Sequence, residues 1–368
     1  MRVTFPHMGT SHIAFKHLIN NLGHEAIVPP APSKRTLSLG VRHAPEFACI
    51  PFKILLGSYI EALENGAEMI ISSGGVGPCR AGIYGLLHEE ILKDLGYDFE
   101  MLIFEPPLRG LLDFIKKIGR VIRPTRVSWP TFIKVFKTSW QKLIILDETE
   151  ILSHQIRPYE VIRGETTRAF KEALTLIDKA ETRQELDSAG QAAEMLLRDV
   201  TQDRSRKPLR IGLIGEIYVV LEPFINLDIE KTLGEMGVET HRSIYLTDWT
   251  RDNTVFDGEK DIKNAAKPYL NQLIGGHGIN SVGETVLYAS NGFDGVIQLA
   301  PFTCIPEIVA KSILNRVSRD LNIPVLTLFL DEQTGTAGAQ TRLEAFTDLL
   351  LQKRRNKGDL DATGIFGN

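Results

Sequence analysis

Glu68-Met69-Ile70-Ile71-Ser72-Ser73-Gly74-Gly75-Val76-Gly77-Pro78-Cys79-Arg80 decides the fold. An apolar run of strand length enters a glycine-rich turn, and helix-forming sequence follows at 83–95. A short apolar run between turn signals reads as a strand of a parallel sheet, buried on both faces. The same strand–turn–helix order recurs on either side. Strands are expected at 3–5, 25–28, 68–72 and 99–104, with helices at 11–22 and 52–63 and a polar loop between the second strand and Cys49. Alternation of this kind implies an α/β fold with a mostly parallel sheet covered on both faces.

Residues 108–206 read differently. Glycine is sparse and a period of 3.6 dominates, which predicts helices over 111–118, 131–143 and 166–200. Arg204-Ser205-Arg206-Lys207-Pro208 is a candidate linker. A second α/β unit then opens with Leu209-Arg210-Ile211-Gly212-Leu213-Ile214-Gly215, and its later strands are expected at 237–244, 295–299 and 324–330. The division is therefore an N-terminal α/β domain (1–107), a helical segment and linker (108–207), a C-terminal α/β domain (208–352) and a polar tail (353–368).

Composition narrows the class of function. Of 368 residues, 43% are hydrophobic, enough for a full core, and 42 basic against 46 acidic residues leave a net charge of −4. That balance argues against a nucleic-acid partner held by bulk electrostatics. No apolar run reaches the roughly 20 residues that span a bilayer, so no membrane segment is expected. Met1-Arg2-Val3-Thr4-Phe5-Pro6 reads as a first strand rather than a signal peptide. Three cysteines cannot form a disulfide framework, and a reducing, cytoplasmic location fits them best.

Each of the three cysteines touches or nearly touches a proline at the start of a helix. Phe47-Ala48-Cys49-Ile50-Pro51 and Phe302-Thr303-Cys304-Ile305-Pro306 repeat one pentapeptide, and Cys79 follows Pro78. The repeat is expected in corresponding places of the two units, as coincidence or as the mark of a duplication. Proline suits the first turn of a helix, where its missing N–H costs nothing. Free N–H groups and the helix dipole there stabilise a thiolate. Cys79 and Cys304 each follow a strand, at the sheet edge where open α/β folds bind ligands. Four readings are open: three buried inert thiols; a zinc site completed by His7, His12 or His43; an iron–sulfur cubane with one iron left open; and a single catalytic cysteine, which would account for only one of the three.

The stretches Phe5-Pro6-His7-Met8-Gly9, Cys49-Ile50-Pro51-Phe52-Lys53, Gly75-Val76-Gly77-Pro78-Cys79-Arg80, Gly215-Glu216-Ile217-Tyr218, Pro301-Phe302-Thr303-Cys304-Ile305-Pro306-Glu307 and Asp331-Glu332-Gln333-Thr334-Gly335 run from end to end of the chain. Together they resemble the 2-hydroxyglutaryl-CoA dehydratase D-component family, in particular its branch of CoA-enzyme-activase-related and double-cubane cluster proteins. The resemblance implies two Rossmann-like or flavodoxin-like domains with a [4Fe-4S] cluster in the cleft between them, held by Cys49, Cys79 and Cys304. It implies one cluster per chain, or half of a double cubane. The chemistry implied is low-potential reduction, either dehydration of a 2-hydroxyacyl-CoA or reduction of a small molecule. A separate ATP-dependent activase would drive it, in a homo- or heterodimer. The chain carries no recognisable CoA-binding motif and no Walker A motif, so ATP hydrolysis belongs to the partner. The alternatives are a non-catalytic iron–sulfur carrier serving an activase, and a zinc-binding α/β protein.

The remaining candidates surround the cysteines. Gly75 and Gly77 could cradle a phosphate or a cluster sulfide with backbone N–H groups, or simply make a tight turn. Arg80 could bind a CoA phosphate or lower a thiol pKa, against the plainer role of pairing with a carboxylate. Glu307 is a candidate proton donor whose plainer role is to complement the helix dipole. Glu216 and Tyr218, at the carboxyl end of the first strand of the second unit, are candidates for lining the cleft. His7 and His12 flank the first strand-to-helix turn, as proton carriers or as hydrogen-bonded structural histidines.

Overall fold

The computed structural model describes residues 1–74, 79–105, 110–242, 244–254 and 259–363. The N-terminal unit runs β1 (Arg2–Thr4), α1 (His12–Asn21), β2 (Glu25–Ala26), α2 (Lys34–His43), α3 (Ile50–Glu64), β3 (Met69–Ser73), α4 (Tyr84–Asp94) and β4 (Glu100–Phe104). Four helices follow: α5 (Leu111–Ile122), α6 (Trp129–Ile156), α7 (Glu165–Lys179) and α8 (Arg183–Arg198). The C-terminal unit runs β5 (Leu209–Gly215), α9 (Ile217–Leu221), α10 (Pro223–Asn226), α11 (Ile229–Glu235), β6 (Val238–Arg242), α12 (Leu246–Thr254), α13 (Lys260–Ala266), α14 (Gly278–Ser290), β7 (Gly295–Pro301), α15 (Ile305–Asp320), β8 (Val325–Leu330) and α16 (Thr336–Thr363).

Both sheets are parallel and share one order, β2-β1-β3-β4 and β6-β5-β7-β8. This is the flavodoxin-like arrangement, and its ligand crevice lies where the order reverses, outside the carboxyl ends of β1 and β3 or of β5 and β7. All seven residues of β7 are buried, as a strand covered on both faces requires. The expected α/β class with two parallel-sheet units and helices between them is the observed one. No helix among the described residues is long and apolar enough to cross a membrane.

Four local expectations change. The segment expected as a polar loop contains α2: Ser33 caps it in a capping box with Thr36. A Cβ on Gly40 would stand 1.7 Å from the Lys53 carbonyl oxygen, and one on Gly57 would stand 1.9 Å from that of Thr36. The backbones of α2 and α3 therefore touch through two glycines, and this close packing compensates for a polar sequence. The expected helix over 131–143 is one part of the 28-residue α6. The one expected over 166–200 breaks into α7 and α8, where Thr182 and Glu185 form a second capping box. The helix of the C-terminus also continues past Lys353, where a polar tail was expected; Arg354 bonds Asp294 and the carbonyls of Lys207 and Pro208.

The repeated pentapeptide does not occupy equivalent places. Cys49 precedes α3, the helix that leads into β3, whereas Cys304 follows β7, which is the counterpart of β3. The topological partner of Cys304 is Cys79.

The units share their cores. Ile50 and Ile54 of α3 lie in one apolar cluster with Leu213, Val219, Leu299 and Leu328 of the C-terminal unit. Helices α6, α7 and α8 form a layer that packs Leu143, Ile177 and Leu186 with Ile13 of α1 and Leu246 of α12. On the far side of this layer, Arg242 at the end of β6 pairs with Glu150 of α6 (2.7 Å) and Glu230 of α11 (2.5 Å). Each contact places an apolar or paired charged group across the seam, so the two units meet through buried surfaces.

Candidate functional site

All three cysteines stand at the residue just before a helical turn. Cys49 caps α3 and Cys304 caps α15, in both cases with the proline in the first helical turn. Cys79 caps a short 3₁₀ turn (Arg80–Ile83) that leads into α4, rather than α4 itself. None of the three side chains closes its own helix end with a hydrogen bond. The thiols are thus left for something else.

Arg80 draws the three segments together. Its guanidinium donates to the carbonyl of Phe47 (3.1 Å) and to that of Thr303 (2.7 Å). Those carbonyls belong to the segments that carry Cys49 and Cys304. The fork geometry of arginine suits two acceptors at once. From the other side, Gly276 takes a φ of +47°, and a Cβ there would stand 3.2 Å from Pro306 and 4.0 Å from the Cys79 sulfur. Glycine lets this backbone pass close to the cysteines. The sulfur of Cys49 meets the hydroxyl of Tyr84 at 2.8 Å.

Two carboxyls face this group. Gly215 ends β5 with a φ of +141°, and a Cβ there would collide with the Leu299 carbonyl oxygen at 2.1 Å. The turn delivers Glu216 to the cap of α9, where it accepts from the Val219 N–H (3.0 Å). Glu307 in the first turn of α15 is completely buried. Its Oε2 accepts from Ser281 (2.9 Å) and Gln298 (2.8 Å), and Gln298 accepts from Thr327 (2.9 Å). Its Oε1 has no partner among the described residues. Burial raises both carboxyls, Glu216 to about 7 and Glu307 to about 7.

The thiols depart from the expectation of stabilised thiolates. Burial pushes Cys49 up to about 11, partly offset by the Tyr84 hydrogen bond. Burial raises Cys79 too, and Cys304 strongly, and the charge of Glu216 adds to the rise at all three. Desolvation here outweighs the helix ends. A cluster of raised thiols beside two carboxyls is a site short of positive charge, and a bound metal centre would deprotonate such thiols as it binds.

The other candidates are distributed as follows. Arg80 is beside the cysteines. Tyr218 is buried, and its hydroxyl donates to the His7 carbonyl across the two units (2.7 Å), so it serves the seam and is not offered to the cysteines. His7 Nδ1 bonds Glu222 (3.0 Å), which also accepts from the Gly9 N–H. His12 Nδ1 bonds the Gly9 carbonyl (2.8 Å), and the two imidazoles stack at 4.8 Å. Gly75 and Gly77 lie outside the described residues. Sequence reasoning missed Tyr84, Gly276, Ser281 and Gln298. Of these only Gly276, in Gly275-Gly276-His277-Gly278, carries a local signal.

Among the described residues, the group of potential ligands whose atoms come within 4.8 Å of one another is Glu150, His154 and Glu230. Arg242 already supplies that group with its cation. The three thiols do not form a group that close. No family model matches the chain, and no curated protein matches it.

Proposed function

We propose that Cys49, Cys79 and Cys304 hold a [4Fe-4S] cluster in the cleft, and that the chain is the cluster-bearing component of a reductive enzyme akin to the 2-hydroxyacyl-CoA dehydratases. The observation that carries this reading is the Arg80 bridge, which ties the Cys49 and Cys304 segments to Cys79 across more than half the sequence. The donor set supports it: three thiols outside any disulfide at helix starts, a buried carboxylate oxygen on Glu307 without a partner among the described residues, and a glycine approach at Gly276. When bound, such a cluster supplies a low-potential electron and one iron open to a small ligand.

The chain's own residues have definable parts in this scheme. The cysteines hold and orient the centre. Glu216 and Glu307, with pKa values of about 7, can each keep or release a proton at neutral pH beside it. Exposed apolar side chains lie next to two of the cysteines in sequence: Phe47 (72% exposed), Phe302 (60%) and Ile305 (58%). Large exposed apolar groups favour a docking partner, and a separate ATP-dependent activase would fill that place. An acyl-CoA or a small reducible molecule would be the substrate of such a centre.

Anaerobic purification followed by iron and sulfide analysis tests the proposal. About four irons per chain, with visible thiolate-to-iron charge-transfer absorption, are expected. Colourless protein that stays iron-free after anaerobic reconstitution overturns it. Turnover of a 2-hydroxyacyl-CoA with an activase, ATP and a reductant separates an enzyme from a cluster carrier, and zinc at one per chain would favour the zinc protein.

A further inference from the structure

Among the described residues, the hydroxyl of Tyr84 has one hydrogen-bond partner, the sulfur of Cys49 at 2.8 Å. A phenol facing a thiol is a weak pairing, since sulfur is a poor donor and a poor acceptor while neutral. A phenol facing a metal-bound thiolate is a strong one, because the acceptor is charged. The surroundings hold Tyr84 to this task. It is the first residue of α4, so its backbone is fixed by the helix start. The next residue, Gly85, lies against β4: a Cβ there would stand 2.8 Å from Ile103. The Tyr84 ring packs edge-on against Phe52 at 4.8 Å, and Phe52 in turn stacks on His88 at 4.1 Å. Phe52 belongs to the first turn of the helix that Cys49 caps, so the ring and the sulfur are held by one rigid corner. Tyr59, on the same helix, spends its hydroxyl on Ser72 at 2.9 Å and makes no hydrogen bond to a cysteine among the described residues.

We infer that Tyr84 is a positioning residue that donates a hydrogen bond to the Cys49 thiolate of the bound cluster and thereby raises the reduction potential of that centre. The inference rests on the cluster reading above. Its physical basis is that reduction adds negative charge to the cluster, so a fixed donor at a ligand sulfur stabilises the reduced state more than the oxidised one. The step is a one-electron reduction, with the electron supplied by an external low-potential donor and no proton leaving Tyr84.

The test compares anaerobically reconstituted wild type, Tyr84→Phe and Tyr59→Phe by iron content and by redox titration. Tyr84→Phe keeps the ring and its packing and removes only the donor. The expected result is equal iron in all three and a lower potential in Tyr84→Phe alone, by about a tenfold change in the redox equilibrium, which is about 59 mV for one electron. Resonance Raman spectra of the wild-type protein give a readout that needs no variant: the iron–thiolate stretches should shift when H₂O is exchanged for D₂O. Iron-loaded Tyr84→Phe with an unchanged potential, or wild-type iron–thiolate bands that ignore D₂O, overturns the inference while leaving the cluster reading intact. Wild type that takes up no iron overturns both.

Discussion

In the C-terminal unit Cys304 follows β7 directly and is buried, and the first turn of its helix carries Glu307, held by Ser281 and Gln298 of the same unit. In the N-terminal unit Cys79 stands further along the sequence from the end of the equivalent strand β3, is only partly buried, and has Arg80 beside it reaching across to Thr303. One strand order thus supports two ways of holding a cysteine. The C-terminal half of the site is built by its own core. The N-terminal half is completed by bonds to the other unit. Long-range bonds form only when both units are in place, so the N-terminal half is where assembly of the site can be broken without unfolding the chain.

The largest effects should fall on the cysteines and on Arg80. Alanine at any of Cys49, Cys79 or Cys304 should cost most of the iron on anaerobic reconstitution, since two thiolates hold a cubane poorly. Arg80→Gln should lose iron to a chelator several-fold faster than wild type. Arg80 is exposed, so the change should leave urea stability within about 0.5 kcal/mol. Wild-type iron retention in Arg80→Gln would mean that the N-terminal half holds itself, and the contrast would fail.

Glu307→Ala should show the reverse pattern. It removes the acceptor of the Ser281 hydroxyl and one of the two acceptors of the buried Gln298 amide, which keeps its bond to the Glu307 carbonyl (2.9 Å), and this costs about 2–4 kcal/mol of stability by urea titration. Glu307→Gln, which keeps an acceptor oxygen, should recover part of this. A loss under about 1 kcal/mol for the alanine variant would mean that the C-terminal half is less rigidly prebuilt than its hydrogen bonds imply.

A pH measurement sharpens the role of the helical layer. Asp147 of α6 accepts from the Thr247 N–H (3.1 Å) and hydroxyl (2.7 Å), and burial raises its pKa from 3.8 to about 6. Between those two values the folded state binds the proton more tightly than the unfolded state. Its contribution therefore falls as pH rises from about 3.8 to about 6, and then levels off. Asp147→Asn should flatten that part of the stability profile by on the order of 2 kcal/mol. An unchanged slope between wild type and variant would exclude Asp147 as its source.

The smallest effects separate a bond between units from a bond within one. Lys53 of α3 is buried and pairs with Glu332, beyond β8, at 2.7 Å. Glu332→Ala should cost about 1 kcal/mol, a buried-pair penalty reduced because the carboxylate is partly exposed. Glu89→Ala breaks the exposed pair with Lys93 inside α4, and should cost under about 0.5 kcal/mol. Equal costs would mean that the pair across the units adds nothing beyond a surface contact.

Much of the fold could be read from local pattern. The buried strands β5 and β7 and the helix starts at Cys49 and Cys304 appear as apolar runs and prolines because each is governed by a period or a cap within a few neighbours. Helix α2 could not be read in the same way. Its residues are polar, and it exists because Gly40 and Gly57 let two backbones meet. The candidate site divides likewise. The cysteines and Glu307 were legible as residue types at helix starts. Tyr84, Ser281 and Gln298 were not, since an ordinary tyrosine, serine or glutamine becomes part of a site only through what folds against it.

The sequence by itself determined that this chain would form two parallel-sheet units with helices between them, and that each cysteine would stand at the start of a helical turn. Those are short-range consequences of hydrophobic period, glycine turns and prolines that lack an N–H. Only the tertiary structure decided that Cys79, and not Cys49, is the counterpart of Cys304. It also decided that the thiols are raised by burial rather than lowered by helix ends, that Tyr218 serves the seam, and that Arg80 binds the three segments together. Each of these depends on which distant groups share a buried volume, and that is fixed by the packing of one unit on the other.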